Sequence, residues 1–178
     1  MINFKIVVPT YNASEWIQDC LESIQNQIHT NFQCVVINDA STDDTKSVLD
    51  SLDHISKDER FTIVHNDENV KALNNIVDGF NIMDSKKDPE SVLMAIDGDD
   101  KLFSDHSLAI VNQVYTQIPC LMTYGNHIHY PTGGGSNCEP IPQEIYETNN
   151  FRGYKFVTSH LRTFKSKLWY QIKDEDLR

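Results

Sequence analysis

The sequence predicts a mostly parallel α/β sheet with helices on both faces. Three observations carry this. Short, continuously apolar runs alternate with longer stretches whose apolar residues recur at helical spacing. The runs lack the in/out alternation of half-exposed strands, as expected for strands buried on both faces. Two of them, Val35-Val36-Ile37 and Val92-Leu93-Met94-Ala95-Ile96, lead straight into acidic clusters, Asn38-Asp39-Ala40-Ser41 and Asp97-Gly98-Asp99-Asp100. In open α/β sheets, ligands bind beyond the carboxyl ends of the strands, where strand order reverses.

Phe4 to Val8 reads as the first strand. Trp16, Ile17, Cys20, Leu21, Ile24 and Ile28 then mark one face of a helix, and Asn12 with Glu15 has the spacing of a capping box. Phe32 to Ile37 is the second strand. Ser41 is placed to cap the next helix, whose apolar face is Val48, Leu49, Leu52 and Ile55. Asp43 and Asp44 would complement that helix's dipole. Phe61 to Val64 is a third strand, followed by a helix through Leu73, Ile76, Val77 and Phe80. Val92 to Ile96 is a fourth strand, Leu108, Val111, Val114 and Tyr115 mark a helix, and Leu121 to Tyr124 is a fifth strand. If the first strand lies between the second and fourth, Pro9-Thr10-Tyr11 sits between Asp39 and Asp97.

The pattern changes after about Asn126. Pro131, Gly133-Gly134-Gly135, Pro140 and Pro142 mark a loop-rich excursion. Strand character returns weakly at Lys155-Phe156-Val157, and a last helix is expected near Lys165. The break predicts a division into residues 1–125 and 126–178.

At 178 residues the chain has the size of one domain. Its 15 Lys and Arg against 26 Asp and Glu give a net charge of −11. That argues against nucleic-acid partners and anionic membranes. An anionic ligand remains compatible if a divalent cation bridges it. No stretch approaches the roughly 18 to 20 apolar residues of a membrane span, and residues 1–9 do not read as a signal peptide. Cys20, Cys34, Cys120 and Cys138 show no CxxC spacing, which points to a reducing, cytoplasmic setting.

The candidate site residues follow from the strand ends. Carboxylates two apart in the Asp97-Gly98-Asp99-Asp100 turn can converge on a hard cation, Mg²⁺ or Mn²⁺, while Gly98 allows a tight turn and close ligand approach. The plainer reading is an acidic turn that only ends a strand. Asp39 can accept from a base N–H or a ribose hydroxyl. Tyr11 can stack on a base or be a half-buried rim residue. Lys71 can neutralise a diphosphate or simply be solvated. His160 and Arg162 lie near a strand end, where one could meet a metal or acceptor and the other a phosphate. His127 and His129 would share one face of an edge strand, with a metal pair the less favoured reading. The triple glycine is either a lid or an ordinary loop.

Together these segments resemble the nucleotide-binding half of a family 2 glycosyltransferase of the GT-A fold. The resemblance rests on Val7-Val8-Pro9-Thr10-Tyr11-Asn12, on Val36-Ile37-Asn38-Asp39-Ala40-Ser41-Thr42-Asp43 and on Ile96-Asp97-Gly98-Asp99-Asp100, in that order, over residues 1–125. It implies transfer of a sugar from a nucleoside-diphosphate sugar, a UDP-sugar, to a hydroxyl with inversion, dependent on Mn²⁺ or Mg²⁺. Whether the acceptor is a glycan, a lipid-linked molecule or a protein stays open. Tyr11 and Asp39 would contact the base, Pro9 and Thr10 would line the nucleotide pocket, Asp97 would touch ribose or metal, and Asp99 would be the main metal ligand.

Two departures stand out. Asn38 replaces the first aspartate of the second motif, with looser nucleotide selectivity the implied consequence. The family's diphosphate-binding arginine is missing from Asn69-Val70-Lys71-Ala72-Leu73-Asn74-Asn75, so Lys71 would substitute for it. Residues 126–178 would form the acceptor side. The family's catalytic carboxylate would fall beyond Arg178, which makes the chain an expected N-terminal portion. Asp174, Glu175 and Asp176 read as solvated. A non-catalytic nucleotide-sugar-binding module is the alternative. An aspartyl phosphatase is discounted, because Pro9-Thr10-Tyr11 occupies the position its D-x-D would need.

Overall fold

The computed structural model describes residues 1–135 and 138–177. They build one six-stranded sheet in the order β3-β2-β1-β4-β6-β5. The strands are β1 (Phe4–Thr10), β2 (Phe32–Asn38), β3 (Phe61–His65), β4 (Val92–Ala95), β5 (Met122–Gly125) and β6 (Ser159–Lys165). The helices are α1 (Ile17–Gln25), α2 (Thr45–Ser51), α3 (Asp53–Ser56), α4 (Ala72–Ile82), α5 (Ser107–Gln117), α6 (Gln143–Thr148) and α7 (Ser166–Trp169). β1 pairs in parallel with β2 and β4, and β2 in parallel with β3. β6 alone is reversed, antiparallel to both β4 and β5. The mostly parallel expectation holds, and β1 lies between β2 and β4 as the strand-end argument requires.

The side-chain alternation of the strands makes two apolar layers. Phe4, Ile6 and Val8 of β1, Cys34 and Val36 of β2 and Val92 and Met94 of β4 pack with Ile17, Leu21 and Ile24 of α1 and with Leu108 of α5. Val7, Val35, Ile37 and Leu93 face the other way, onto Val77 and Phe80 of α4 and Trp169 of α7. The centre of the sheet is therefore buried on both faces. α4 lies close on β1 because Gly79 has no side chain. A Cβ there would come 2.6 Å from Val7 Cγ2.

Several local expectations are corrected. Asn12 does not cap α1. It has a positive φ of 53° and lies in the loop before the helix, where its Oδ1 accepts from Thr42 N at 2.8 Å. Trp16 and Ile28 lie outside α1 and are exposed. Ser41 does not cap α2, which starts later, and its Oγ accepts from Asn12 N at 3.0 Å. The expected single helix through Ile55 breaks at Leu52 into α2 and α3. No strand forms at 126–129 or at 155–157. The histidines of the first segment instead pack their rings edge to face at 5.1 Å. The strand of the last third starts at Ser159, and α6 arises inside the region read as loop. Gly133 and Gly134 close a turn on His129, with Gly133 N donating to His129 O at 2.7 Å and His129 N to Gly134 O at 3.1 Å. β6 also crosses the predicted division of the chain, since it lies between β4 and β5.

Candidate functional site

The site forms where three parallel strands end. The carboxyl end of β1 anchors both acidic segments through its backbone. Asp39 N donates to Thr10 O at 2.8 Å, and Gly98 N donates to Pro9 O at 3.3 Å. The second contact needs a glycine. A Cβ on Gly98 would stand 2.2 Å from Thr10 Oγ1. Side-chain ties hold the adjoining loops together. Asp43 Oδ1 accepts from Thr45 N at 3.0 Å and from the Thr45 hydroxyl at 2.5 Å, while its Oδ2 accepts from Ser14 N at 3.2 Å. Burial raises the Asp43 pKa, but these bonds outweigh it and hold the carboxyl at about 2. Asp43, one residue before the N-cap, thus satisfies the first N–H of α2 and clasps the β1–α1 loop.

A cavity of about 110 Å³ opens at this point. Pro9 and Thr10 line it from β1, Tyr11 from just after β1, Asp39 from just after β2, Ala72 and Asn75 from α4, and Asp97 from the segment after β4. Tyr11 is half exposed at its rim. Asp39 is 3% exposed. Its Oδ1 accepts from Asn66 Nδ2 and Val70 N, both at 2.9 Å, and its Oδ2 from Lys71 N at 2.9 Å. Burial pushes this carboxyl up, yet the hydrogen bonds from Val70 N, Asn66 Nδ2 and Lys71 N, with the Asn75 amide close by, prevail and hold it below the ordinary range. Asp39 is therefore an ionised group facing a cavity and the organiser of the β3–α4 loop. Lys71, at a positive φ of 75°, offers its N–H to Asp39 because the chain reverses there. Its side chain is exposed.

Asn38, the departure from the family motif, lies outside the cavity lining. It is buried at the end of β2, where its Nδ2 donates to His65 Nδ1 at 3.1 Å and its Oδ1 accepts from Ser41 N at 3.2 Å. An ionised aspartate could keep the first bond only by accepting from a His65 that carries its proton on Nδ1. The substitution is therefore a local structural feature.

The second half of the site is ionic. His160, near the start of β6, faces the turn after β4. Its Nδ1 is 3.3 Å from Asp100 Oδ2 and its Nε2 is 3.6 Å from Asp97 Oδ2. One ligand atom from each of Asp97, Asp100 and His160 lies within 4.8 Å of the others. Two carboxylate oxygens and one imidazole nitrogen fit a divalent cation, and the mixed set suits Mn²⁺ better than the all-oxygen preference of Mg²⁺. Asp99 is exposed and not part of this group. Burial raises the Asp100 carboxyl, opposed by His160 and reinforced by Asp99 and Asp97. Such crowding of like charge is what a cation would relieve. Arg162 donates to His160 Nε2 at 3.2 Å, which places the ring proton on Nδ1, facing Asp100.

Of the residues singled out in the sequence, the structure brings Pro9, Thr10, Tyr11, Asp39 and Asp97 to one cavity, and Asp97, His160 and Arg162 to one cluster. Asp99 and the Lys71 side chain stand outside both groups. Glu175 is exposed and pairs with Lys173 at 3.1 Å; the side chain of Asp174 lies outside the described residues. Two residues were missed. Asp100 was legible as part of the acidic turn but not as the member that meets His160. Asn75 carried a weaker signal, an amide within the apolar stripe of α4, one turn before Gly79. Among the described residues no helix is long and apolar enough to cross a membrane.

Comparison with known proteins fits this geometry. The family model for Glycosyl transferase family 2 matches residues 5–169. An uncharacterized glycosyltransferase of Haemophilus influenzae is 38% identical over 82 residues, 46% of this chain and 24% of its own length. Among solved structures, S. aureus TarS 1-349 in complex with UDP-GlcNAc superposes with a TM-score of 0.65 at 17% identity, covering 96% of this chain and 47% of the TarS 1-349 chain. The mannosyltransferase PcManGT of Pyrobaculum calidifontis, in complex with GDP-Man and Mn²⁺, gives 0.63 at 19% identity, covering 95% and 46%. These two likenesses show the GT-A fold. The chain spans less than half the length of either.

Proposed function

The chain belongs to glycosyl transferase family 2, and on that premise we propose that it binds a UDP-sugar at the ends of β1, β2 and β4 and transfers the sugar to a hydroxyl acceptor with inversion. The observation that carries this is the pairing, across the end of β1, of a cavity floored by ionised Asp39 with the convergent group Asp97, Asp100 and His160. One half suits a base, the other a cation-bound diphosphate. Such a pairing matches a nucleoside-diphosphate sugar better than it matches any neutral ligand.

In this reading Asp39 accepts a base N–H and Tyr11 covers the base at the rim. Pro9 and Thr10 line the pocket, and Lys71 reaches the phosphates. Asp97, Asp100 and His160 would hold Mn²⁺ or Mg²⁺, with Asp99 as an outer charge. The bound cation supplies charge neutralisation on the departing diphosphate. Arg162, whose guanidinium donates to His160 Nε2, stands beside this group and would add positive charge for the anionic end of the donor. The acceptor's proton passes to a carboxylate base. A second reading, a donor-binding module that does not transfer, has one point in its favour. Asp39, Asp97 and Asp100 are taken up by base and cation, and Asp99 stands outside both groups. The buried thiols Cys20 and Cys34 fit a reducing, cytoplasmic setting.

Titration calorimetry with UDP, with and without Mn²⁺, tests the donor site. Wild type should bind UDP more tightly with Mn²⁺. Asp100→Ala should lose at least roughly tenfold, as expected when one ligand of a charged site is removed, and Asp99→Ala should lose less. UDP binding that ignores Mn²⁺ would sink the reading. Release of UDP from a UDP-sugar in the presence of acceptor separates the transferase from the binding module.

A further inference from the structure

Two polar atoms of the Asp39 cavity are buried without a hydrogen-bond partner, Thr10 Oγ1 and Asn75 Nδ2. Their residues are 2% and 1% exposed, and both line the cavity. Buried donors normally find partners, and an orphan is costly. Asn75 is held in place. Its Oδ1 accepts from Asn66 Nδ2 at 2.8 Å, and the same Asn66 amide donates to Asp39 at 2.9 Å. This shared donor fixes the Asn75 amide with its oxygen satisfied and its Nδ2 turned away from Asn66. The Nδ2 approaches Asp39 closely enough to help hold the carboxylate ionised. Any group that reaches Asp39 in the cavity therefore meets the Asn75 amide as well.

We propose that Asn75 is a specificity-determining residue of the donor site: its Nδ2 donates to a base carbonyl adjacent to the N–H that Asp39 accepts, with the Thr10 hydroxyl serving the carbonyl on the other side. The proposal rests on the donor-site reading above. The cavity then presents donor, acceptor and donor in sequence. The imide edge of uracil presents the complement, a ring N–H between two carbonyls. Cytosine carries no proton on the corresponding ring nitrogen. The family resemblance pointed to Asp39 and Tyr11 for the base. Asn75 would make the site a three-point reader.

Replacing a carbonyl oxygen of the base by sulfur weakens one acceptor without changing the rest of the ligand. Binding of UDP, 2-thio-UDP and 4-thio-UDP, each with Mn²⁺, is measured by calorimetry for wild type, Asn75→Ala and Thr10→Val. Wild type should lose roughly 3- to 10-fold on each thio analogue, the worth of one neutral hydrogen bond. Asn75→Ala should bind UDP and one of the analogues equally, and Thr10→Val should erase discrimination against the other. A residue that only supports the fold would weaken all three ligands alike and keep the ratios. Equal binding of all three ligands by wild type overturns the proposal and needs no variant. Unchanged ratios in Asn75→Ala overturn it too. Asn75→Ser replaces Asn75→Ala if that variant does not fold. If wild type binds no UDP at all, the donor-site reading falls and takes this one with it.

Discussion

Replacing Asp39 by Asn should destabilise the ligand-free protein by about 2–4 kcal/mol, through bonds that have nothing to do with catalysis. Asn is nearly isosteric and keeps one carbonyl oxygen, which can still accept from Asn66 Nδ2 and Val70 N. The second oxygen becomes an NH₂ group, 2.9 Å from a Lys71 N–H that donated to it. Two donors then face each other at a position only 3% exposed. The loss combines one charge-assisted bond with the penalty of a buried unsatisfied donor, about 1.5–3 and 1–3 kcal/mol respectively, partly overlapping. With a urea m-value of about 2 kcal/mol/M, the midpoint should fall by about 1–2 M. The protein should stay folded in buffer, since domains of this kind hold about 5–15 kcal/mol. The pH dependence adds a check of sign. The folded pKa of Asp39 is depressed, so its contribution is full above the unfolded value of about 3.9 and is lost as pH falls through the folded value. Wild type and Asp39→Asn should therefore converge in acid. The control is Asp99→Asn, an exposed position expected to shift stability by less than about 0.5 kcal/mol. A midpoint for Asp39→Asn within 0.2 M of wild type, about 0.4 kcal/mol at that m-value, would refute the organising role of this carboxylate.

Gly98→Ala should cost about 1–3 kcal/mol and weaken Mn²⁺-dependent UDP binding, because the new Cβ collides with a buried threonine side chain. Adding Thr10→Ala should recover part of the stability, read as a non-additive double-mutant cycle in thermal melts. Asp43→Ala should lower Tm by roughly 2–8 °C at pH 7, from about 1–2 kcal/mol of lost helix-start bonding. Its carboxyl sits at about 2, so the wild-type advantage should persist near pH 4 and fade as pH falls toward 2.

The parallel core was legible because burial on both faces leaves a direct compositional trace. Val7 and Val35 point one way and Val8 and Val36 the other, and all four must be apolar. The strand ends were legible for the same reason, since Asp39 and Asp97 break uniformly apolar runs. Helix starts were less so. Ser41 and Asp43 are both good capping residues, and the choice between them depends on where the β1–α1 loop arrives, with Ser14 N reaching Asp43 and Asn12 N reaching Ser41. The last third read poorly because its one sheet strand, β6, is half exposed and its partners β4 and β5 are distant in sequence. Nothing local in Thr158-Ser159-His160 says that the chain will fold back antiparallel. Within the site, the identity of the acid that pairs with His160 hinged on that same strand. Asp100 meets His160 only once β6 lies beside β4.

The division of labour at the strand ends sets how much freedom each of these residues has. Asp39 and Gly98 are positioned by backbone bonds to Thr10 and Pro9, so side-chain changes elsewhere do not move them. Asn38 departs from the resembled motif yet serves only His65 and Ser41, so its replacement touches no cavity atom. Asp39 has no such freedom. It accepts from Asn66, Val70 and Lys71, and through Asn66 it also sets the orientation of Asn75. A ligand that bonds the remaining face of that carboxylate competes with none of the three donors. It should therefore add to their stabilisation, raising Tm with UDP concentration as expected for a ligand that binds only the folded state.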